Sequence, residues 1–494
     1  MSSLLEPHHQ RSPAPNAAQN PLLVGLIVAL FALAGGLVLA FGGPLAAVAV
    51  VVAGAGALIV LRDIEVGFFA VIGVICLLPF GTLPVDIGLT PTFLDVALAS
   101  VIGIWLLEIV TGRKRTIVTA PITVPLVVFI LVAIFAFIFG LGNGPLTSTL
   151  LRHFAELLLS LGFVLVIIDY CQSWQQVERL VKALLLAGAA AALLGIALWV
   201  IPDDTANQLL NYLQRLGYPG GFVIRYIEDN PELTERAIGT SVDPNSFGGL
   251  LLMIGALAGP QVVARYRLFS RPVTLAIVGL IFLCLVLTFS RGAMLGLAAG
   301  WGFVALARHR RLIPYMLVIV LLMLLLPVTQ GYVARFVAGI QGQDLATQMR
   351  FGEYKDALIL VQRYPIFGVG FAGSPDIDIY LGVAMVYLTI AQQMGLVGLF
   401  SFFALIGTVF GYAFFNRHYF RGHPRLDPVW LGLHAALVGG LVAGLLDHYL
   451  FNIDFHHAVT AFWLLVGLAT AATRLGSLGA LAEEGRTTPA GARA

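Results

Sequence analysis

The stretch "RPVTLAIVGLIFLCLVLTFSRGAMLGLAAGWGFVALARHRR" (residues 271–311) places a single arginine between two apolar runs. Arg291 lies 20 residues after Arg271 and 17 before Arg308, so each run approaches the length that a helix needs to cross a bilayer. We therefore predict two short membrane helices that rise from one face, meet at TFSRG and return. An arginine at such a helix end is common, because its long stem lets the charge reach water, so position alone leaves its role open.

The apolar pattern extends over most of the chain. Of 494 residues, 59% are hydrophobic and 11% are charged, whereas soluble domains have roughly 45–50% and about 25%. Stretches long enough to cross a bilayer recur about fourteen times between Pro21 and Thr473. We predict an all-α, polytopic membrane helix bundle of about 14 transmembrane helices (12–14), with a transmembrane domain at 21–475 between polar tails at 1–20 and 476–494.

The positions of the basic residues predict an orientation, because short cytoplasmic loops are enriched in lysine and arginine. If the chain starts inside, even-numbered connections should be basic. The clearest basic connections are GRKR at 112–115, Arg265/Arg267/Arg271, RHRR at 308–311 and Arg417/Arg421/Arg425. We therefore predict that both termini are cytoplasmic and that the two long connections, at about 202–242 and 330–382, are external. The first apolar stretch shows no cleavage site, which indicates an uncleaved first helix.

Charge and cysteine usage give no signal for a nucleic-acid partner or for a cysteine-ligated metal site. The net charge of +2 comes from dispersed basic residues, so nothing indicates a nucleic-acid partner. Cys76, Cys171 and Cys284 are isolated and lack metal-ligand spacing. We expect all three to be core residues.

The second long connection contains "MRFGEYKDALILVQRYPIFGVGF" (349–371), in which apolar and charged residues separate at helical spacing. The apolar set is Phe351, Tyr354, Leu358 and Val361, and the charged set is Arg350, Glu353, Lys355 and Asp356. This pattern predicts an amphipathic helix that ends before Pro365 and lies along the membrane surface or packs on the bundle.

Arginines are the strongest functional signal. In "ERAIGTSVDPNSFGG" (235–249), Asp243 and Pro244 are suited to begin a helix. Arg236 precedes that start and should lie near the same outer surface as Arg291, with Arg350 arriving from the second loop. Arginine stays charged and can hold phosphate oxygens with two hydrogen bonds, so three converging guanidiniums suit a diphosphate.

Four segments together resemble the bacterial O-antigen ligase and polysaccharide polymerase superfamily. They are "SVDPNSFGGLLL", "LTFSRGAMLG", "MRFGEYKDALILVQRYPIFGVGF" and "YLTIAQQMGLVGLF", spread over about 235–400. The resemblance implies a metal-independent glycosyltransferase of the bacterial inner membrane that uses polyprenyl-diphosphate-linked glycans and needs no cofactor. It also implies that the functional arginines are Arg236 and Arg291, with Arg350 as the loop arginine.

One departure from the ligase pattern bears on the reaction. Ligases of this superfamily typically show His-Asn-x-Tyr-Leu after the large loop, with a glycine eight residues beyond the tyrosine. Here Tyr387, Leu388 and Gly395 keep that spacing, but the first two positions are Ala384 and Met385. The missing histidine favours glycan polymerisation over transfer to lipid A core and leaves the general base open.

Several acidic and histidine residues could replace that base. "GSPDIDIYLG" (373–382) contains Asp376 and Asp378, and "LLDHYLFNIDFHH" (445–457) contains Asp447, His448, Asp454, His456 and His457. Asp378 is the first choice, because it lies only six residues before position 384. Adjacent His456 and His457 should point to different helix faces, so we predict no metal site. For substrate binding, the predicted residues are Arg350, Asn245, Tyr387, Asp376 and His456.

The sequence therefore favours an enzyme. A sugar hydroxyl of an acceptor glycan attacks the anomeric carbon of a lipid-linked donor glycan and expels polyprenyl diphosphate, whose growing charge Arg291 and Arg236 stabilise. The expected partners are the donor, the acceptor, membrane lipid and other polysaccharide assembly proteins. A lipid-linked oligosaccharide flippase is the alternative, although no internal repeat is visible and the candidate charges gather at one face. A scaffold would leave the arginines without a role.

Overall fold

The computed structural model describes residues 62–83, 90–325, 330–375 and 382–487. Within these ranges the chain forms fifteen α-helices, which confirms the all-α prediction. They are α1 Ile64–Leu77, α2 Phe93–Val110, α3 Thr123–Gly140, α4 Ser148–Tyr170, α5 Trp174–Val200, α6 Asp203–Tyr212, α7 Pro244–Val263, α8 Arg271–Leu287, α9 Arg291–Ala307, α10 Ile313–Leu325, α11 Gln330–Ile340, α12 Leu345–Arg363, α13 Val386–Asn416, α14 Leu426–Ala443 and α15 His456–Thr487. The predicted first span, Asp376 and Asp378 lie outside the described residues.

Eight of the described helices are long and apolar enough to cross a bilayer, namely α2, α3, α4, α5, α7, α13, α14 and α15. Three shorter apolar helices, α1, α8 and α9, accompany them. On α3, the apolar residues Val124, Leu131 and Ile138 are exposed, and their spacing of two turns puts them on one face. An apolar face of this extent is suited to lipid. The chain is a polytopic membrane helix bundle.

The predicted hairpin around Arg291 is confirmed. α8 ends at Leu287 and α9 begins at Arg291, so the residues between them form the turn. Ser290 caps α9, since its hydroxyl oxygen accepts a hydrogen bond from the amide of Ala293 at 3.4 Å. The 17 residues of α9 place Arg291 and Arg308 at opposite ends of the bundle.

Small residues let α9 pack closely on α14. A Cβ added to Gly296 would lie 2.6 Å from the carbonyl oxygen of Gly439, and one added to Gly439 would lie 2.8 Å from the carbonyl oxygen of Gly296. Backbones can approach this closely only where both positions lack a side chain. This contact positions the helix that carries Arg291.

We expect Gly296→Val to destabilise the protein by about 1–3 kcal/mol, because the added side chain meets backbone that cannot move aside. Gly302 on the same helix is the matched control, since a Cβ there meets nothing within 4 Å. Thermal unfolding of the two purified variants in detergent measures the difference. Equal melting temperatures for Gly296→Val and Gly302→Val would show that the close approach is not needed.

The end of the bundle that carries Arg308 is rich in ion pairs. Arg308 lies 3.3 Å from Asp427, Arg425 lies 2.6 Å from Glu178, Arg179 lies 2.6 Å from Glu65, and Lys114 pairs with Asp169. These pairs tie the basic connections of the sequence to neighbouring helix ends. The arrangement agrees with the predicted alternation of basic and non-basic connections.

The two long connections contain structure of their own. The first holds α6 and a two-stranded antiparallel sheet, β1 Arg225–Tyr226 and β2 Glu235–Arg236, in which Arg225 lies opposite Arg236. The second holds α11 and α12, and α12 ends two residues before Pro365, as the sequence predicts. These segments bring Arg236 and Arg350 to the end of the bundle where α9 begins.

The packing of α12 differs from a simple amphipathic pattern. Ala357 and Leu360 are buried, whereas Phe351 and Leu358 from the predicted apolar face are 57% and 48% exposed. The exposed apolar pair is available for a membrane surface, and that contact stays a prediction.

Candidate functional site

Arg291 is held between the start of α9 and the helices of the second loop. Its Nη2 donates to Oδ2 of Asp344 at 2.6 Å and to Oγ1 of Thr347 at 3.5 Å. A Cβ on Gly339 would collide with Nη1, so the guanidinium lies directly against the backbone of α11. Burial raises the pKa of Asp344, but hydrogen bonds from Thr347 and Arg291 outweigh it and keep that pKa below its ordinary value. Asp344 is therefore ionised opposite the arginine.

Arg236 is fixed by the turn that precedes Arg291. Its Nε donates to the carbonyl oxygen of Thr288 at 2.8 Å, and its Nη2 donates to Oδ1 of Asn245 at 2.8 Å. The next residue, Ala237, donates its amide to the carbonyl oxygen of Leu287 at 2.8 Å. Thus β2, the end of α8 and the first turn of α7 meet at Arg236. The predicted pair Arg236 and Asn245 is brought into direct contact.

Arg350 reaches the same end from α12. Its Nη2 lies 3.7 Å from Oδ2 of Asp447, a buried carboxylate in the turn between α14 and α15. Burial raises the pKa of Asp447, and the charges of His448 and Arg350 oppose that rise. Arg350 therefore stabilises the ionised form of Asp447.

Packing links this pair to the other two arginines. A Cβ added to Gly292 would lie 3.4 Å from Cβ of Leu446, so the first turn of α9 contacts the residue before Asp447. The carboxylate of Asp243, the cap of α7, lies close enough to raise the pKa of Asp447 further. The elements that carry the three arginines therefore adjoin at one end of the bundle. We call their polar residues the arginine cluster, which comprises Arg236, Arg291, Arg350, Asn245, Asp344 and Asp447.

Position 384, where ligases typically have a histidine, adjoins the carboxylate of Glu353. The sequence pattern placed Glu353 in the charged set of α12 but not among the candidate site residues. The amide of Ala384 donates to Oε2 of Glu353 at 2.9 Å, and the hydroxyl of Tyr354 donates to the carbonyl oxygen of Ala384 at 3.3 Å. Burial raises the pKa of Tyr354, so its hydroxyl stays protonated and can donate. One signal pointed to Glu353, since it follows Arg350 by three residues and therefore shares its helix face.

Tyr387 and Gly395 have structural partners. The hydroxyl of Tyr387 donates to the carbonyl oxygen of Leu441 at 2.7 Å, and its ring stacks on Phe403. Gly395 interrupts α13 with a φ of 67°, and a Cβ there would collide with the carbonyl oxygen of Ile366. Only glycine tolerates both the left-handed backbone and that approach. A substrate role for Tyr387 stays a prediction.

The break in α13 joins two of the family-like segments. The amide of Leu396 donates to the carbonyl oxygen of Pro365 at 2.7 Å, and the amide of Val369 donates to the carbonyl oxygen of Gln392 at 2.9 Å. The glycine-rich turn after α12 therefore pairs backbone to backbone with the interrupted helix. That turn positions α12, which carries Arg350 and Glu353.

The two adjacent histidines of the last candidate segment, His456 and His457, are both buried and have different polar neighbours. Nε2 of His457 lies 2.8 Å from Oγ of Ser246 in the first turn of α7. Both histidines line a cavity of about 160 Å³ together with Asp454 and His153, whose side chains are 3.0 Å apart. The two adjacent histidines do point to different faces. A substrate role for His456 stays a prediction.

Comparison with known proteins gives one match. No curated protein matches the chain. A family model matches over residues 276–403, a range that includes Arg291, Arg350, position 384 and Gly395 but not Arg236. The family is described as O-antigen ligase, so the resemblance is confirmed over residues 276–403 of this membrane protein.

Proposed function

We propose that the protein is a membrane glycosyltransferase that lengthens a surface polysaccharide by moving a glycan from polyprenyl diphosphate to a hydroxyl of a second glycan. The observation that carries this proposal is the arginine cluster, whose three guanidiniums are carried by separate elements that adjoin at one end of the bundle. A cationic site of this kind fits a diphosphate leaving group at a membrane surface. The family match supports the same class of enzyme.

The chemistry follows from charge. The acceptor oxygen forms a bond to the anomeric carbon while the bond from that carbon to the phosphate oxygen breaks, and the hydroxyl proton passes to a base. Negative charge grows on the departing diphosphate, where Arg291 and Arg236 stabilise it. The partners of both guanidiniums fix their orientation before substrate arrives, which reduces reorganisation in the transition state. Arg350 and Asn245 would contact the diphosphate or the adjoining sugar.

A carboxylate is the base in this proposal, and Asp378 remains its first candidate. Glu353 and Tyr354 act as positioning residues that hold the segment at position 384 against α12, on the evidence of their hydrogen bonds to Ala384. Since Ala384 cannot accept a proton through its side chain, polymerisation is favoured over ligation to lipid A core. No metal is needed at the arginine cluster.

The function can be tested by reconstituting purified protein in lipid nanodiscs with polyprenyl-diphosphate-linked repeat units. We expect longer lipid-linked glycans and one free polyprenyl diphosphate for each new glycosidic bond, measured by gel and by mass spectrometry. Movement of the lipid-linked unit across a vesicle membrane without new bonds would identify a flippase instead. Transfer only to added lipid A core would identify a ligase.

We further propose that the protein lies in the bacterial inner membrane and spans it with about fourteen helices. In this arrangement both termini are cytoplasmic and the second long connection, at about 330–382, is external. Gln343 and Arg310 are both exposed and lie on the two sides in this arrangement. Gln343→Cys should react with a membrane-impermeant maleimide added from outside, and Arg310→Cys should not. The native cysteines are buried, so background labelling should be low. The reverse labelling pattern would overturn the orientation.

A further inference from the structure

Three ionisable side chains converge at a second place, separate from the arginine cluster. Asp95 lies in the first turn of α2, Glu156 lies in α4, and His456 begins α15. Nδ1 of His456 is 3.5 Å from Oδ1 of Asp95 and 3.7 Å from Oε1 of Glu156. Three helices that are distant in sequence thus direct one atom each toward a common point.

These three atoms lack hydrogen-bond partners among the described residues, and so does Nε2 of His456. Glu156 is 3% exposed and His456 is 7% exposed, so water does not surround them. A buried polar atom without a partner costs about 1–3 kcal/mol, and more if it is charged. The structure therefore contains several costly atoms that one occupant could satisfy together.

The geometry points to a cation. Zinc binds histidine nitrogen at about 2.0–2.1 Å and carboxylate oxygen at about 2.0–2.2 Å in tetrahedral geometry, which places its ligand atoms about 3.3–3.5 Å apart. The observed separations of 3.5 Å and 3.7 Å are close to that spacing, and all three atoms lie within 4.8 Å of one another. We propose that Asp95, Glu156 and His456 bind one divalent transition-metal cation, with zinc as the best fit.

Charge supports this occupant. When both carboxylates are deprotonated, as metal binding requires, they and a neutral imidazole together carry a charge of about −2, which a divalent cation neutralises. The nearest competing cation is Arg152, whose Nε lies 3.7 Å from Oε1 of Glu156. The other two guanidinium nitrogens of Arg152 have partners elsewhere, since Nη1 donates to the carbonyl oxygen of Thr90 at 2.7 Å and Nη2 lies 2.9 Å from Nε2 of His153.

The surroundings define what the cation would do. Glu156 and His456 line the cavity of about 160 Å³, which leaves room for water as a fourth ligand. The cation would join α2, α4 and α15, and the adjacent His457 would carry that rigidity to Ser246 in the first turn of α7. We therefore assign it a stabilising role beside the arginine cluster. The assignment does not depend on the proposed transferase activity.

The test uses full-length protein in detergent. Metal analysis after purification should find about one zinc per chain, and protein stripped with EDTA should recover its melting temperature when Zn²⁺ is restored. Co²⁺ titration should give absorption bands typical of four-coordinate nitrogen and oxygen ligands. His456→Gln and Glu156→Gln should each weaken zinc binding at least tenfold, because each removes a direct ligand.

His153→Gln is the matched control, because His153 lines the same cavity but contributes no atom to the cluster. It should retain zinc with near wild-type affinity. Should His456→Gln fail to fold, Asp95→Asn is the milder variant and should likewise weaken binding. Absence of zinc, manganese and cobalt binding by folded wild-type protein would overturn the proposal, as would equal zinc loss in His153→Gln. If wild type binds no metal and Glu156→Gln is more stable, a shared proton occupies the cluster instead.

Discussion

Arg291→Lys is expected to lower glycan transfer about 100-fold or more, while expression and membrane insertion stay at wild-type levels. Lysine keeps the positive charge and can still pair with Asp344, so the folded structure should persist. It loses the planar fork that holds two phosphate oxygens at once, and that fork acts on the leaving diphosphate. Initial rates with purified, reconstituted protein measure the effect.

Arg308→Lys provides the matched control at the other end of α9. Both arginines are paired with an aspartate, and their side chains are similarly exposed, 19% for Arg291 and 15% for Arg308. A structural contribution from such an ion pair should therefore be lost equally in both variants. We expect Arg308→Lys to retain near wild-type activity. Full activity in Arg291→Lys, or equal losses in the two variants, would reduce Arg291 to a structural role.

Asp378→Asn is expected to lower transfer by about 10²–10⁴-fold, the usual contribution of a general base. The wild-type rate should also stay flat between pH 7 and pH 6. A carboxylate with an ordinary pKa near 4 acts as a base in its ionised form, so activity is present above that pKa and is lost only below it. A histidine base would begin to lose activity near pH 6.5, as its imidazole becomes protonated.

Glu353→Gln is the control for the base. The amide oxygen of glutamine can still accept the hydrogen bond from the amide of Ala384, so a positioning role should survive the change while a basic role should not. We expect this variant to keep most of its activity. If Glu353→Gln is inactive and Asp378→Asn is active, the general base is Glu353 and not Asp378. An active Asp378→Asn with a steep fall between pH 7 and pH 6 would instead point to His448, His456 or His457.

The sequence predicted the all-α class and the ends of several helices, because the bilayer restricts which backbone structures can span it. A membrane-spanning segment must satisfy its backbone hydrogen bonds internally, so a long apolar run has to be a helix. Arg271, Arg291 and Arg308 therefore marked the ends of α8 and α9 correctly. Pro365 marked the end of α12 for an equally local reason, because proline lacks an amide donor and disfavours helical backbone at the residue before it. Local rules of this kind require no knowledge of the neighbouring helices.

The faces of those helices were harder to predict. Lipid tails are as apolar as a protein core, so hydrophobicity does not distinguish a buried face from a lipid-facing one. On α12, the sequence pattern grouped Phe351 and Leu358 as an apolar face for the membrane surface or for the bundle, and the structure shows that Ala357 and Leu360 are buried instead. On α9, only the packed structure distinguishes Gly296, where an added Cβ would meet the backbone of α14, from Gly302, where an added Cβ would meet nothing within 4 Å.

The candidate sites likewise combine positions that the sequence predicts with contacts that only the tertiary structure shows. The sequence by itself predicted that Arg236, Arg291 and Arg350 lie at the same end of the bundle, because each lies at a helix boundary or in a loop whose side is predicted from the alternation of spans. Only the tertiary structure placed Glu353 against Ala384 and brought Asp95 and Glu156 to His456. These contacts join residues on different helices, and their formation depends on which helices are neighbours and how each is rotated. Packing of the whole bundle decides both, and no local pattern in the sequence records them.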